Sequence, residues 1–506
     1  MKPLKVLLLN CLPMIALLIA CSTEKAEVQK TPLSASKKNI VLFVSDDHGK
    51  TAGCYGNPAV KTPNMDQLAA EGTLFTHAFA TTASCTASRS VILSGLHNHH
   101  TGLFGHEHFP FHFRAYQNLQ SLPVMLNKGG YRTGTVGKYH VAPKEVFDFE
   151  TFITTDDLGE NVNYGLADFG RNTVMMADAC QNFINDPDER PFFLYFCTSD
   201  PHRSSDNDHP NRFGNRDEGF EGVTPVTYNE EEVIVPPFLP DTRECREELA
   251  QYYQSISRVD QGLGRLIQHL KDAGAYENTL IIYMSDHGMA FPGAKTTTYE
   301  PGLNSPLIVC SPDVEKRGVV TDAMVSWTDI TPTILDFAGV KAPFPYTLLE
   351  GLEGNPAAII DSFDGRSFLN ILEQESPEGF DEIYGSHTFH EIQMYYPMRV
   401  VRDRNYKLIW NIAWQLPYPF ASDLWAAQTW QTQFKQGQEA LYGMKTVGEY
   451  IQRPEFELYD IAKDPHETQN LALDPKNVEL LATYQGKIRS FQERTGDRWV
   501  LKWSYE

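Results

Sequence analysis

Positive charge is what this 506-residue chain is short of. Its 43 lysines and arginines stand against 65 aspartates and glutamates, a formal net charge of -22. Such a field argues against nonspecific nucleic-acid binding, and an anionic substrate would need cations gathered locally. Cysteine is also scarce: of eight, Cys11 and Cys21 lie in the N-terminal apolar stretch and Cys85 at the start of a helical pattern. The others, Cys54, Cys180, Cys197, Cys245 and Cys310, are odd in number and lack repeated spacing, so neither a disulfide framework nor a zinc pattern is visible. Cys197 and Cys310 sit in apolar runs and read as buried small hydrophobes. Internal repeats are absent, and past the N-terminus no run approaches the roughly 20 apolar residues that span a bilayer. What is present is globular composition, 42% hydrophobic and 21% charged. The length suits one large domain with a smaller one, or two to three ordinary domains.

Residues 1–21 read as a secretion signal: Lys2 and Lys5, then an apolar stretch from Val6 to Ala20 broken by Asn10 and Pro13. Its end, Leu18-Ile19-Ala20-Cys21, resembles a bacterial lipobox, which makes Cys21 the lipidated mature N-terminus and residues 22–37 a polar tether. The expectation is an exported lipoprotein, periplasmic or on the outer-membrane surface, touching the membrane only through its lipid.

Three continuous apolar runs each lead directly into acidic and histidine residues. Asn39–Val44 runs into Ser45-Asp46-Asp47-His48, Phe192–Cys197 into Asp200-Pro201-His202-Arg203, and Thr279–Met284 into Ser285-Asp286-His287-Gly288. Polar residues after buried strands are what the C-terminal edge of a parallel sheet presents. The fold class expected is α/β: a large mixed, mostly parallel sheet sandwiched by helices over 38–365, and a smaller C-terminal α+β domain with an antiparallel sheet over 366–506. The proline-, glycine- and acid-rich stretch 340–365 reads as the link. Arg399–Ile409 and Phe456–Asp460 read as strands of the smaller unit, with a helix over 476–493. An aromatic-rich insert with Trp410, Trp414, Trp425 and Trp430 reads as packing within that unit. Adjacent carboxylates at Asp46 and Asp47, with Asp286, form the kind of oxygen set that holds a hard divalent cation.

The most particular segment is Ser84-Cys85-Thr86-Ala87-Ser88-Arg89, followed by a helical pattern. A helix start offers unpaired N–H groups and partial positive charge to an anion. Cysteine with serine at +3 and arginine at +4 resembles the signature of the formylglycine-dependent sulfatases of the alkaline phosphatase superfamily. Gly137-Lys138-Tyr139-His140 and the C-terminal Glu457-Leu458-Tyr459-Asp460 resemble further elements of that family. The resemblance implies that Cys85 is oxidised to formylglycine, whose hydrate attacks sulfur. It implies Ca2+ (or Mg2+) held by Asp46, Asp47, Asp286, His287 and the modified residue 85. Arg89, Lys138 and Lys295 would offset charge on sulfate oxygens, His202 would protonate the leaving group, and His140 would take a proton in the second half-reaction.

Within the family the likeness is to the N-sulfoglucosamine sulfohydrolases, carried by Asp200-Pro201-His202-Arg203, Tyr299-Glu300-Pro301-Gly302, Ser386–Glu391 and Tyr396-Pro397-Met398-Arg399. It implies release of sulfate from N-sulfoglucosamine of heparin or heparan sulfate fragments, with Arg203, His387, His390 and Glu391 reading the sugar. Departures keep alternatives open. Ala87 stands where proline is usual, which implies an oxygen-independent maturase as partner. Ser199 replaces a histidine, Lys295 stands where sulfamidases carry arginine, and His287 where many relatives carry asparagine. A glucosamine 6-O-sulfatase or other glycan O-sulfatase, a phosphonate or phosphodiester hydrolase of the superfamily, and a non-catalytic glycan-capturing lipoprotein are the other readings.

Overall fold

The structure, a computed structural model, describes residues 38–158, 166–204, 213–351 and 353–504. The signal, Cys21 and the tether expected from the sequence lie outside the described residues. Lys37–Glu506 form one compact unit.

Eight strands make the main sheet: β1 (Asn39–Ser45), β2 (Thr73–Phe79), β3 (Arg132–Gly137), β4 (Thr151–Ile153), β5 (Phe192–Cys197), β6 (Thr279–Ser285), β7 (Leu307–Cys310) and β8 (Val319–Ser326). Their order is β4-β3-β5-β1-β6-β7-β2-β8. Only the two pairings made by β7 are antiparallel. The central strands are apolar throughout because both faces are covered, and alternate residues feed opposite cores. Ile40, Leu42, Val44, Tyr195 and Ile282 point into one, with Leu122, Met125, Ile330 and Ile334 of covering helices. Val41, Phe43, Phe196 and Tyr283 point into the other, against Val259, Leu263 and Leu266 of the 30-residue helix Arg243–Asp272. Each such fully buried side chain contributes about 1.5–3 kcal/mol of transfer free energy, which fixes the faces and hence the register. That register sets Ser45 opposite Ser285 and Val44 opposite Cys197, with Gly137 also opposite Cys197. The loops after β1, β3, β5 and β6 therefore leave the sheet at one level.

The 340–365 stretch, read from composition as a link, carries a hairpin: β9 (Tyr346–Glu350) pairs antiparallel with β10 (Asn355–Ile360). Gly351 and Gly354, both at positive φ, make its turn possible. Beyond it β11 (Glu382–His387), β12 (Met398–Asp403) and β13 (Tyr406–Asn411) form an antiparallel sheet that β16 (Phe456–Asp460) completes. A small hairpin, β14 (Leu441–Tyr442) with β15 (Lys445–Thr446), precedes β16. One face of this second sheet packs on Tyr484 and Ile488 of the helix Val478–Arg494. The other, through Ile383, Val400 and Ile409, joins the main core. Ser386 N–H donates to Thr81 carbonyl at 2.7 Å, which fastens β11 to the loop just before Cys85. Trp410 and Trp430 are buried as packing residues, while Trp414 and Trp425 are 40% and 43% exposed. Among the described residues every cysteine is free, and no helix is long and apolar enough to cross a membrane.

Candidate active site

The loops that leave the sheet together bring the expected residues together. Asp46 and Asp47 follow β1, and Asp286 and His287 follow β6. Asp286 Oδ1 accepts from the backbone N–H of Asp47 at 3.0 Å and of His287 at 2.9 Å. Asp46 N–H donates to the Asp200 carbonyl at 3.0 Å, tying the β1 loop to the β5 loop. Asp47 holds φ at 62°, a left-handed conformation that aspartate tolerates better than most residues. Cys85 opens the helix Cys85–Ile92 from an extended Ser84, and points its thiol at this cluster. Sγ is 3.3 Å from His287 Nε2 and 3.7 Å from Asp47 Oδ1. All five of these side chains are buried.

Cations interleave the carboxylates. Arg89, one turn into the helix, lies 3.2 Å from Asp46 Oδ1 and 3.1 Å from Asp286 Oδ2. Lys138 reaches Asp46 Oδ2 at 2.5 Å. Its place depends on Gly137, whose φ is 80° and whose Cβ, if present, would fall 2.1 Å from the Cys197 carbonyl oxygen. Lys295 bonds Asp47 Oδ2 and Asp423 Oδ2, each at 2.9 Å, and meets His202 Nε2 at 2.8 Å.

Burial dominates the protonation of the site. It pushes the Cys85 thiol well above its ordinary range, with Lys138 opposing, so the unmodified side chain is a neutral thiol and a poor nucleophile. Burial resists charge on Asp46 too, but the Lys138 and Arg89 cations beside it hold that carboxyl well below the usual range. Asp286 has Arg89 at 3.1 Å, but burial, with Asp46 adding to it, outweighs that support and pushes the carboxyl up to about 6. Burial likewise lowers His140 and, with Lys295, His202, so both imidazoles are neutral at rest.

The donor set fits a divalent ion. Asp46, Asp47 and Asp286 each offer an oxygen within 4.8 Å of the others; oxygens sharing one calcium at about 2.3–2.6 Å can be no more than roughly 5 Å apart. His287 Nδ1 lies 3.1 Å from the Gly288 carbonyl, which assigns the proton to that nitrogen. Its Nε2 lone pair then faces Asp47 Oδ1 at 3.1 Å, acceptor against acceptor, a contact that a cation or an extra proton resolves. With Arg89, Lys138 and Lys295 set against Asp46, Asp47, Asp286 and Asp423, the buried cluster is one positive charge short.

Above the cluster opens a cleft of about 460 Å³, floored by Lys138, His140, His202 and Lys295 and walled by His108, Phe109, His390 and Asp423. Of the four residues expected to read a sugar, Arg203, His390 and Glu391 line it. His390 is held by Ser84 Oγ at 3.0 Å, and Glu391 accepts from Ser422 N–H and Oγ at 3.1 and 2.8 Å. The Arg203 guanidinium pairs with Glu248 at 3.1 and 2.9 Å between the rings of Phe213 and Phe291. His387 is buried outside the cleft lining, bonded to Thr82 Oγ1 at 3.0 Å. Asp423 was not singled out from the sequence: a Ser-Asp pair before a short helix carries no signal beyond a cap. His106 and His108 were missed as well, although six of the sixteen histidines fall between His97 and His112.

A family model described as Sulfatase matches residues 38–340, and one described as N-sulphoglucosamine sulphohydrolase, C-terminal, matches residues 290–416. The N-sulphoglucosamine sulphohydrolase of Homo sapiens is 37% identical over 478 residues, covering 92% of each chain. The chain belongs to the sulfatase family. Among solved structures, a protein in complex with its substrate D-glucosamine-2-N,6-O-disulfate aligns with a TM-score of 0.63 at 20% identity, over 91% of this chain and 99% of that one. The phosphonate monoester hydrolase of Agrobacterium radiobacter aligns with a TM-score of 0.62, also at 20% identity, over 91% of this chain and 96% of that one. At that identity the two structures show the shared fold and leave the substrate open. Sulfatases generally use formylglycine and a divalent metal ion, which agrees with the neutral thiol and the charge-deficient cluster found here.

Asp423 offers a first test of the site in this sulfatase. Its carboxylate, largely but not wholly shielded from solvent and held far below its ordinary range by Lys295 against the cost of desolvation, fixes the ammonium over Asp47. Asp423→Asn is expected to lower kcat/KM roughly 100-fold, the scale of about 1 Å of misplacement in a reacting group. A variant with wild-type kcat/KM in steady-state sulfate release would show that Lys295 needs no such anchor.

Proposed function

We propose that this sulfatase releases sulfate from N-sulfoglucosamine of heparin or heparan sulfate fragments. The observation that carries the proposal is the human relative: likeness at 37% identity extends over 92% of both chains. The C-terminal family model supports it, since residues 290–416 include Lys295 and the cleft residues His390 and Glu391.

The chain's own residues suit the task. Formylglycine at position 85 would supply a hydrated aldehyde as nucleophile, and a divalent ion held by Asp46, Asp47, Asp286 and His287 would supply a Lewis acid for sulfate oxygen. Lys138 and Lys295 flank the Cys85 position, fixed by ion pairs before substrate arrives, so their charges need no reorganisation to offset charge on the sulfuryl oxygens. His140, neutral and lining the cleft, is in the state that accepts a proton. His202 donates Nδ1–H to the Arg203 carbonyl, which turns Nε2 toward Lys295 and the cleft. To protonate a leaving nitrogen His202 must first gain a proton, and an anionic substrate that drew Lys295 away would favour that gain. Lys295 in place of the arginine of sulfamidases keeps 6-O-desulfation as the second reading.

The matured enzyme is to be assayed for sulfate release from N-sulfoglucosamine, glucosamine 6-sulfate and an aryl phosphonate. The N-sulfated sugar is expected to have the highest kcat/KM, by about 100-fold or more, since a site built to pair a substrate group rejects analogues that leave its polar groups unpaired. Release from the 6-sulfate alone would establish the O-sulfatase reading instead, and cleavage of the phosphonate alone would remove both.

A further inference from the structure

We infer that the cleft of this enzyme carries a second metal site, for a transition ion such as Zn2+, formed by His106, His108 and His140. One ring nitrogen from each lies within 4.8 Å of the others. His108 Nδ1 and His140 Nε2 are 3.1 Å apart, close to the roughly 3.4 Å between two nitrogens that share a tetrahedral zinc at about 2.0–2.1 Å. The three rings stand at the corners of a near-equilateral triangle, with centroids 4.9, 5.1 and 5.2 Å apart. Three imidazoles with an open fourth position are a familiar zinc-binding set. The site has a route to solvent, because all three residues line the cleft and His108 is exposed.

The donor chemistry separates this site from the carboxylate cluster. Nitrogen ligands select zinc, copper and nickel, whereas the oxygens of Asp46, Asp47 and Asp286 select calcium or magnesium. His106 is oriented whichever nitrogen binds, since Nδ1 meets Thr86 Oγ1 at 3.2 Å and Nε2 meets His390 Nε2 at 3.0 Å. His140 is held at φ 49°, outside the conformations most residues prefer, and its Nδ1 is buried with no hydrogen-bond partner. Backbone strain and an unsatisfied polar atom both cost free energy, of order 1–3 kcal/mol each. They persist here at the residue that aims Nε2 at His108. The nearby charges that oppose a cation are Lys295 beside His106 and Lys138 and Arg89 beside His140, and each is already paired with carboxylate, Lys295 with Asp47 and Asp423, Lys138 and Arg89 with Asp46. An ion in this triangle would occupy His140, so zinc is expected to inhibit turnover; that consequence alone rests on the proton-accepting role proposed for His140.

The test is direct metal binding to the calcium-loaded enzyme with Zn2+ and Co2+, read by calorimetry and by the visible ligand-field spectrum of bound cobalt. One equivalent beyond calcium is expected, with a tetrahedral cobalt spectrum. His108→Ala removes an exposed ligand without touching the core, and should weaken zinc at least about 10-fold, the loss that even an outer-sphere partner produces. Cys85→Ala should keep the site. No zinc-dependent heat or cobalt spectrum in the wild type, unchanged affinity in His108→Ala, or loss of binding in Cys85→Ala would each overturn the assignment, the last by moving the ion to the nucleophile. Zinc inhibition, measured against each variant's own zinc-free rate, should disappear in His108→Ala together with binding. Binding without inhibition would leave the metal site standing and refute the proposed role of His140.

Discussion

Cys85→Ser, made in a host that lacks a serine-type maturase, is expected to lose sulfate release by about 10⁵–10⁶-fold, the scale seen when a covalent nucleophile is removed. The exchange is nearly isosteric at a fully buried position, so the fold should survive. What disappears is the chemistry. Burial holds the Cys85 thiol neutral, and a serine hydroxyl there would be more strongly protonated still. Neither unmodified side chain is activated, whereas a hydrated aldehyde presents two hydroxyls on one carbon, one to attack and one whose deprotonation can expel sulfate. The same argument applies to the wild type: activity should follow the fraction of chains converted from –CH2–SH to –CHO at position 85, read by mass spectrometry of the peptide containing Ser84–Arg89. Full activity in protein whose Cys85 is intact, or normal turnover in Cys85→Ser, would remove the aldehyde from the mechanism.

Much of this site was legible before the coordinates. Asp46, Asp47, Asp286 and His287 follow apolar runs that could only be buried parallel strands, and parallel strands in register deliver their following loops to one edge. Lys138 was legible through the likeness of Gly137-Lys138-Tyr139-His140 to an element of the family, and the structure adds the reason for its glycine, a close approach to the neighbouring strand that no side chain permits. Of the C-terminal contribution, His390 and Glu391 were expected and Asp423 was not. Asp423 reaches the cleft because β11 docks beside Thr81 and because Glu391 holds Ser422, contacts between segments more than 30 residues apart that no local periodicity records. His387 shows the converse: its segment was singled out, but a motif cannot say whether a side chain faces a cleft or a buried partner. Arg203 does line the cleft, while its guanidinium pairs with Glu248 in the second turn of the helix Arg243–Asp272, a partner no local pattern names. The 346–360 hairpin was hidden because its prolines, glycines and acids mark turns as readily as linkers.

Asp286→Asn is expected to move activity and apo-protein stability in opposite directions. Asparagine has the same shape and its side-chain oxygen can still accept from the backbone of Asp47 and His287, so what is lost is the charge and the one oxygen that faces Arg89 at 3.1 Å. Without that charge the divalent ion loses a ligand, and turnover should fall by at least about 1000-fold. Stability follows the other sign. Burial raises the Asp286 carboxyl to about 6 in the folded protein, with Asp46 adding to the shift and His287 and Arg89 opposing it, from an ordinary value of 3.8. The folded state therefore binds the proton more tightly than the unfolded one. Below 3.8 the group costs nothing, stability declines as pH rises from about 4 to 6, and above 6 the full cost remains, on the order of 3 kcal/mol. In EDTA at pH 7, Asp286→Asn should accordingly unfold at higher denaturant concentration than the wild type, and the difference should vanish near pH 4. Saturating calcium should reverse the ranking, because only the wild type keeps the full ligand set. A metal-free variant less stable than the wild type at pH 7 would mean that Arg89 already compensates this carboxylate, and that the cluster holds no unmet demand for a cation.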